Sequence, residues 1–252
     1  MPTTIAVAGK GGTGKTTFTA LVIRYLTEKK QKAILAIDAD PNSNLNEALG
    51  LKLEHFISDF IAETKNLGPL PAGMSKQQFI EYRLASAIAE SDFVDLIAMG
   101  QPEGPGCYCY PNDLVKANMG ALSKNYDYLV LDNEAGLEHL SRRVAQDVDY
   151  LFVLSDASAR GIRSAGRVKE VIDELKTQVD HVYLVVSKVR DGDMARLAGE
   201  IEKTGLDVIG TVPEDENVEQ FDLDGKPLFE LPAGSAAVKA VYEIMGKVPG
   251  LR

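Results

Sequence analysis

The chain is poor in several things, and each shortage excludes a class of protein. It has only two cysteines in 252 residues, Cys107 and Cys109. Two thiols one residue apart cannot staple a fold, so a disulfide-dense secreted scaffold is excluded. There is no excess of positive charge: Lys and Arg number 27 against 37 Asp and Glu, a formal net charge of −10. The chain therefore lacks the basic footprint of a nonspecific nucleic-acid binder. It lacks a polybasic membrane anchor for the same reason. No apolar run approaches the ~20 residues of a membrane-spanning helix. Met1–Ala8 carries no basic region and no cleavage site, so no signal peptide is expected. There is no internal repeat and no low-complexity linker. These shortages predict a soluble cytoplasmic protein with reduced thiols, one domain over residues 1–252, and neither a nucleic-acid nor a membrane partner.

What the chain does have is alternation. Short apolar runs rich in β-formers lie at Thr4–Ala8, Ala33–Asp38, Phe93–Met99, Tyr128–Asp132, Tyr150–Leu154, Val182–Ser187 and Val208–Thr211. Helical patterns lie between them at Thr16–Lys29, Lys76–Glu90, Asp113–Ser123, Ser158–Thr177 and Asp193–Thr204, and an amphipathic stretch closes the chain at Ser235–Lys247. The runs are nearly continuous in apolar residues, as strands buried on both faces are. Alternating strands and helices predict an α/β fold, a doubly wound and mainly parallel sheet. Asn66–Ser75 and Gly100–Asn112 are rich in glycine and proline and read as loops.

Residues 9–16 meet the pattern G-x-x-x-x-G-K-[ST] through Gly9, Gly14, Lys15 and Thr16, between a strand and a helix. Glycines let successive N–H groups turn inward around phosphate oxygens, and the helix N-terminus adds partial positive charge there. The loop implies a P-loop NTPase. Gly11, Gly12, Thr13, Gly14, Lys15, Thr16 and Thr17 form its nucleotide-contacting set. Lys15 is placed for the β- and γ-phosphates and the Thr16 hydroxyl for Mg²⁺. Asp38 and Asp40 lie at the end of the second strand, and ligands of open α/β sheets bind at that end. Asp132 ends a hydrophobic strand, the arrangement that holds a Mg²⁺ shell.

Cys107 and Cys109 share a loop with Gly104, Pro105 and Gly106. Two thiolates one residue apart suit a soft metal, yet a tetrahedral site takes four ligands. A two-fold dimer would supply the other pair. Zn²⁺, Ni²⁺, Cu⁺ and an iron–sulfur cluster all fit thiolates, and the residues do not choose among them.

Lys10 directly follows the first glycine, and in this the loop resembles that of the deviant Walker A ATPases. These are dimeric proteins that include nitrogenase iron protein, cell-division and plasmid-partition ATPases and the arsenite-pump ATPase. The resemblance implies ATP and ADP with Mg²⁺, a homodimer, and Lys10 reaching the partner's nucleotide, where a cation steadies the transferred phosphoryl group. It implies that Asp40 positions the attacking water and that Asp38 supports Mg²⁺ or its waters. It makes Gly136, after Asn133, the γ-phosphate sensor of a second switch. Ser187 and Lys188 stand where relatives carry an Asn-Lys pair near the base, with serine in place of asparagine. Pro213 and Glu214 lie in a loop that edges the base in that family.

Gly104–Cys109, taken with Asp132–Arg142, is similar to the nickel-maturation ATPases of carbon monoxide dehydrogenase and acetyl-CoA synthase, the CooC/AcsF type. That resemblance implies Ni²⁺, or Zn²⁺, on Cys107 and Cys109 of both subunits, and a client nickel enzyme of that kind. His139 then reads as a helix-packing residue. Three other readings have weaker support. An iron–sulfur carrier or reductase of the nitrogenase type spaces its cysteines far apart. A positioning ATPase needs a basic membrane helix, whereas Ser235–Lys247 carries only Lys239 and Lys247. An anion-pump ATPase usually carries two phosphate loops.

Overall fold

The computed structural model describes residues 1–60, 73–101, 123–133, 147–175 and 178–251. Within them the chain runs β1 (Thr3–Gly9), α1 (Lys15–Lys30), β2 (Ile34–Asp38), α2 (Leu45–Leu49), α3 (Lys76–Ser86), β3 (Asp95–Ala98), β4 (Tyr128–Asp132), β5 (Asp147–Asp156), α4 (Ala159–Leu175), β6 (Gln178–Val189), α5 (Asp193–Thr204), β7 (Asp207–Pro213), α6 (Glu216–Asp224) and α7 (Ala236–Lys247). Seven strands form one sheet in the order β3-β2-β4-β1-β5-β6-β7. All six pairings are parallel, so the expected doubly wound α/β sheet is what forms.

The apolar runs are continuous because both faces of the sheet are covered. Successive strand residues enter opposite cores. Ile5, Val7, Ile34, Ala36, Val130 and Phe152 pack with α1 and α7. Ala6, Ala8, Leu35, Ile37, Leu131 and Val153 pack with α3, α4 and α5 on the other side. α1 is enclosed on most of its circumference, with Leu21, Val22, Ile23 and Leu26 fully buried. No helix among the described residues is long and apolar enough to cross a membrane.

Helix ends follow local chemistry. α1 ends in Lys29 and Lys30, with Gln31 left-handed at its C-cap; cations there complement the helix dipole. Ser75 and Gln78 form a capping box at the start of α3. That helix stops at Ser86, short of the expected Glu90, because Ala89 pairs with Leu96 in an antiparallel bridge.

The topology reverses direction at β1: β2 and β4 lie on one side of it, β5 on the other. Such a switch point opens a crevice at the carboxyl ends of the strands. Gly9, Asp38, Asp132, Asp156, Val189 and Pro213 all end strands there.

Candidate functional site

The phosphate loop leaves β1 at Gly9 and enters α1 at Lys15. Gly9 has φ 152°, and a Cβ there would stand 2.3 Å from the Leu154 carbonyl oxygen. Only glycine lets β1 leave the sheet this close to β5. Gly12 and Gly14 both have φ 78°, in the left-handed region. Between them the buried Thr13 closes a turn, its hydroxyl donating to Lys10 O at 2.8 Å. Gly14 takes the N-cap position of α1 and offers no side-chain cap, so the first N–H groups of that helix are left for a ligand. Lys15 is 8 % exposed, whereas Lys10 stands out in solvent.

Two carboxyls stand at the same end of the sheet, and one of them, Asp132, meets the Thr16 hydroxyl that follows the loop. Asp38 and Asp132 are paired in the β2–β4 register, and both are buried. Asp38 accepts the Leu45 N–H at 2.9 Å and the Asp40 N–H at 3.0 Å. Burial pushes its carboxyl up to about 7, with the charge of Asp132 adding and the two N–H donors opposing. Burial likewise raises Asp132 to about 6, against the Thr16 hydroxyl, the Lys15 ammonium and the Thr19 hydroxyl. Two buried acids beside a threonine hydroxyl carry more negative charge than Lys15 alone offsets, a donor set that fits a hard divalent cation such as Mg²⁺. Asp40 is half-buried and forms an Asx turn, accepting the Asn42 N–H at 2.9 Å.

The loop also forms one wall of a cavity of about 470 Å³. Gly12, Thr13, Gly14 and Thr17 lie on one side; Ser187, Lys188, Pro213, Glu214 and Asp215 lie on the other; Phe18, Leu21 and Val241 give an apolar floor. The Ser187 hydroxyl is buried and lies 2.7 Å from Thr13 O. Lys188 Nζ donates to Gly12 O at 3.0 Å. Glu214 forms an exposed ion pair with Arg190 at 2.7 Å, which holds its carboxyl below the usual range.

The structure thus gathers Gly11–Thr17, Asp38, Asp40 and Asp132 at one end of the sheet, with the Ser187, Lys188, Pro213 and Glu214 wall beside them. Cys107, Cys109, Gly136 and His139 lie outside the described residues. Among the described residues no group of three His, Cys, Asp or Glu side chains could hold a metal ion.

One site residue, Thr19, and the capping role of another, Asp215, escaped sequence reasoning. Thr19 lies one helical turn beyond Lys15, and its hydroxyl reaches both Lys15 O and Asp132. The i, i+4 spacing from Lys15 was the available signal. Asp215 caps α6 through the Asn217 N–H and also accepts from the Ala237 N–H and the Ser235 hydroxyl. An Asp just before a helical run was its signal.

Residues 4–228 match the family described as CobQ/CobB/MinD/ParA nucleotide binding domain. The chain belongs to this family. It is 41 % identical over 247 residues to an uncharacterised ATP-binding protein of Methanocaldococcus jannaschii, covering 97 % of each chain. It is 29 % identical over 266 residues to the carbon monoxide dehydrogenase accessory protein CooC of Rhodospirillum rubrum, covering 98 % of this chain and 99 % of that one. A ParA family ATPase from Chlorobium tepidum has the same fold, with TM-score 0.72 at 20 % identity over 96 % of each chain. So has the septum site-determining protein MinD of Pyrococcus horikoshii complexed with Mg-ADP, with TM-score 0.70 at 18 % identity, over 100 % of this chain and 97 % of that one. The family match runs through the phosphate loop, both buried carboxyls and the cavity wall at residues 187–215.

Proposed function

We propose that this family member is a Mg²⁺-dependent ATPase that works as a homodimer and handles nickel for a client enzyme of the carbon monoxide dehydrogenase/acetyl-CoA synthase kind. One observation carries the ATPase part. A glycine-built anion loop leads into Lys15 and Thr16 against Asp132, the register partner of Asp38, and opens beside a cavity of about 470 Å³. Each half alone is ambiguous, whereas together they fit a nucleoside triphosphate with its cation.

In this reading the N–H groups of residues 11–17, apart from that of Thr13, which is turned onto Lys10 O, and the Lys15 ammonium bind the phosphates. Thr16 and Asp132 would hold Mg²⁺, with Asp38 supporting the ion or its waters, and the bound ion would neutralise charge on the transferring phosphoryl group. Asp40 orients a water whose oxygen attacks the γ-phosphorus. The bond from that phosphorus to the bridging oxygen breaks, ADP leaves with the electron pair, and the water's proton ends on phosphate. Lys10, in solvent in the single chain, serves the partner's nucleotide, and Gly136 senses the γ-phosphate. Pro213 and Glu214 border the base.

The nickel part rests on Cys107 and Cys109 and on the similarity to CooC over nearly the whole chain. Thiolates from two chains would make a four-ligand site for Ni²⁺, with Zn²⁺ as its competitor. Closing the dimer around ATP would change that site, and the coupling would be reciprocal.

The test is steady-state phosphate release from MgATP by the purified protein, alone and beside Lys15→Ala. Turnover that disappears in the variant, together with lost ATP binding, supports the reading. Equal release from both proteins refutes it.

A further inference from the structure

Lys188 is out of step with its strand. β6 pairs with β7 at Ser187↔Val212 and next at Val189↔Pro213, so Lys188 is an extra residue in the ladder. Its φ is 55°, a left-handed conformation that non-glycine residues seldom adopt. Bulges of this kind re-aim a side chain, and they gather beside functional sites. Here the re-aimed ammonium donates to Gly12 O at 3.0 Å. One residue earlier, the Ser187 hydroxyl lies 2.7 Å from Thr13 O and 3.1 Å from Ser155 O, and it is 6 % exposed. Two consecutive residues of β6 therefore grip two consecutive carbonyls of the phosphate loop from outside it.

Peptide planarity gives this grip a consequence. In a trans peptide the C=O and the following N–H point in opposite directions. Holding Thr13 O against β6 turns the Gly14 N–H away from β6, into the concave side of the loop. Holding Gly12 O fixes the next peptide back, whose Thr13 N–H closes the turn onto Lys10 O at 3.4 Å. Both glycines flanking Thr13 are left-handed and conformationally free in an unrestrained chain. Without an external grip the loop would sample many arrangements before binding an anion, and affinity would fall accordingly.

We infer that Ser187 and Lys188 are positioning residues that hold the Gly12–Gly14 backbone in its anion-binding form, and that Ser187 does not read the base. The hydroxyl has one proton, and its near acceptors are loop and strand carbonyls. The ligand whose binding they set is a polyphosphate chain, whatever base it carries. This inference rests on the reading of residues 9–16 as a nucleotide phosphate site.

Calorimetric titration of the full chain with MgATP, MgGTP and base-free magnesium tripolyphosphate tests it. In Ser187→Ala the affinities for all three should fall by a common factor of about two- to tenfold, with the ATP-to-GTP ratio unchanged. Ser187→Thr, which keeps the hydroxyl, should restore them. Lys188→Gly should lower tripolyphosphate affinity while raising the thermal unfolding midpoint, because glycine relieves the left-handed φ. A residue that merely supported the fold would not move those two readouts in opposite directions. Were Ser187→Ala not to fold, Lys188→Gly decides alone. A changed ATP-to-GTP ratio with tripolyphosphate affinity unmoved makes Ser187 a base reader and overturns the inference. Unchanged affinities in both variants overturn it too. A wild-type chain that binds neither ATP nor tripolyphosphate instead refutes the phosphate site itself.

Discussion

Asp38 and Asp132 stand side by side at the ends of β2 and β4, each 1 % exposed, with the Asp132 carboxyl against the Thr16 and Thr19 hydroxyls of α1. In the unliganded protein this pair is a source of instability. Folded, they titrate near 7 and 6; unfolded, both titrate at the ordinary 3.8. Between those values the native state binds protons that the unfolded chain has lost. Their contribution to stability is thus fully present below about pH 4 and is lost as pH rises towards 7. Asp132→Asn should remove much of the penalty. The Thr19 hydroxyl can turn its proton to Lys15 O at 2.9 Å and accept from the new amide. At pH 8 the unliganded variant should be more stable than wild type by about 2–3 kcal/mol, yet inactive with MgATP. Urea unfolding at pH 5 and pH 8 checks this; a variant less stable at pH 8 would refute a strained pair.

Gly9→Ala tests the exit from β1. A methyl group there meets the Leu154 carbonyl oxygen at 2.3 Å, and that atom belongs to a central strand. β1 and β5 would have to part at the residue that begins the phosphate loop. A loss of about 1–3 kcal/mol is expected by analogy with overpacked cores, with ATP affinity falling as well. An unchanged unfolding midpoint would mean that the ends of β1 and β5 yield more easily than their register implies.

Asp215 ties the cavity wall to α7. Burial raises its carboxyl, but donors at Ala237 N, Ser235 and Asn217 outweigh burial, and the net shift is downward. A lowered carboxyl adds stability above its unfolded value of 3.8, and this is lost as pH falls towards the folded value. Asp215→Ala should cost about 2–3 kcal/mol at pH 7, as a lost helix cap plus a second set of donors. The same variant should raise the KM for ATP more than it lowers kcat, since Pro213 and Glu214 line the cavity just before it. A KM unaffected by the variant would separate the cap from the site.

Most of this layout was legible in the sequence, and the misses share physical causes. Tyr128–Asp132 and Asp193–Thr204 agree with the structure to the residue, because an apolar run between polar ends and a Gly192–Gly205 bracket mark them sharply. β5 and β6 extend upstream of the expected Tyr150 and Val182, through Asp147, Asp149, Gln178 and Asp180. Asp147 pairs with Gln178 in the ladder, and none of the four is apolar, so hydrophobicity could not reveal these ends. α2 is five residues long, too short for a period to show. α6 has an acidic sequence marked only at its ends, by the Asp215 cap and the left-handed Gly225. The phosphate loop and the carboxylates were readable as local patterns. The Ser187–Thr13 contact was not, because it joins residues 174 apart.

Lys10→Ala should separate binding from turnover. The side chain is exposed, while its own carbonyl closes the loop turn through Thr13, and that backbone contact survives in the variant. ATP affinity of the single chain should therefore stay within about twofold of wild type. Turnover should drop by about 10²- to 10³-fold, as when a trans cation is lost, and ATP should no longer promote the dimer in sedimentation. Normal turnover would end the case for a shared site.

Cys107 and Cys109 make the last prediction, which concerns stoichiometry. A lone pair of thiolates holds a metal poorly, whereas four complete a site. Under reducing, anaerobic conditions the wild-type dimer should bind about one Ni²⁺ per two chains. Cys107→Ala should abolish that binding and leave MgATP affinity intact, since the phosphate loop and its carboxylates are built from β1, α1, β2 and β4 and held by β6, none of which contains either cysteine. ATP should shift nickel affinity in wild type, and nickel should shift ATP affinity by the same factor, because coupling between two equilibria is symmetric. Two independent Ni²⁺ ions per dimer, or binding that survives Cys107→Ala, would place the metal elsewhere. A visible band near 400 nm that bleaches on reduction would instead assign the cysteines to an iron–sulfur cluster.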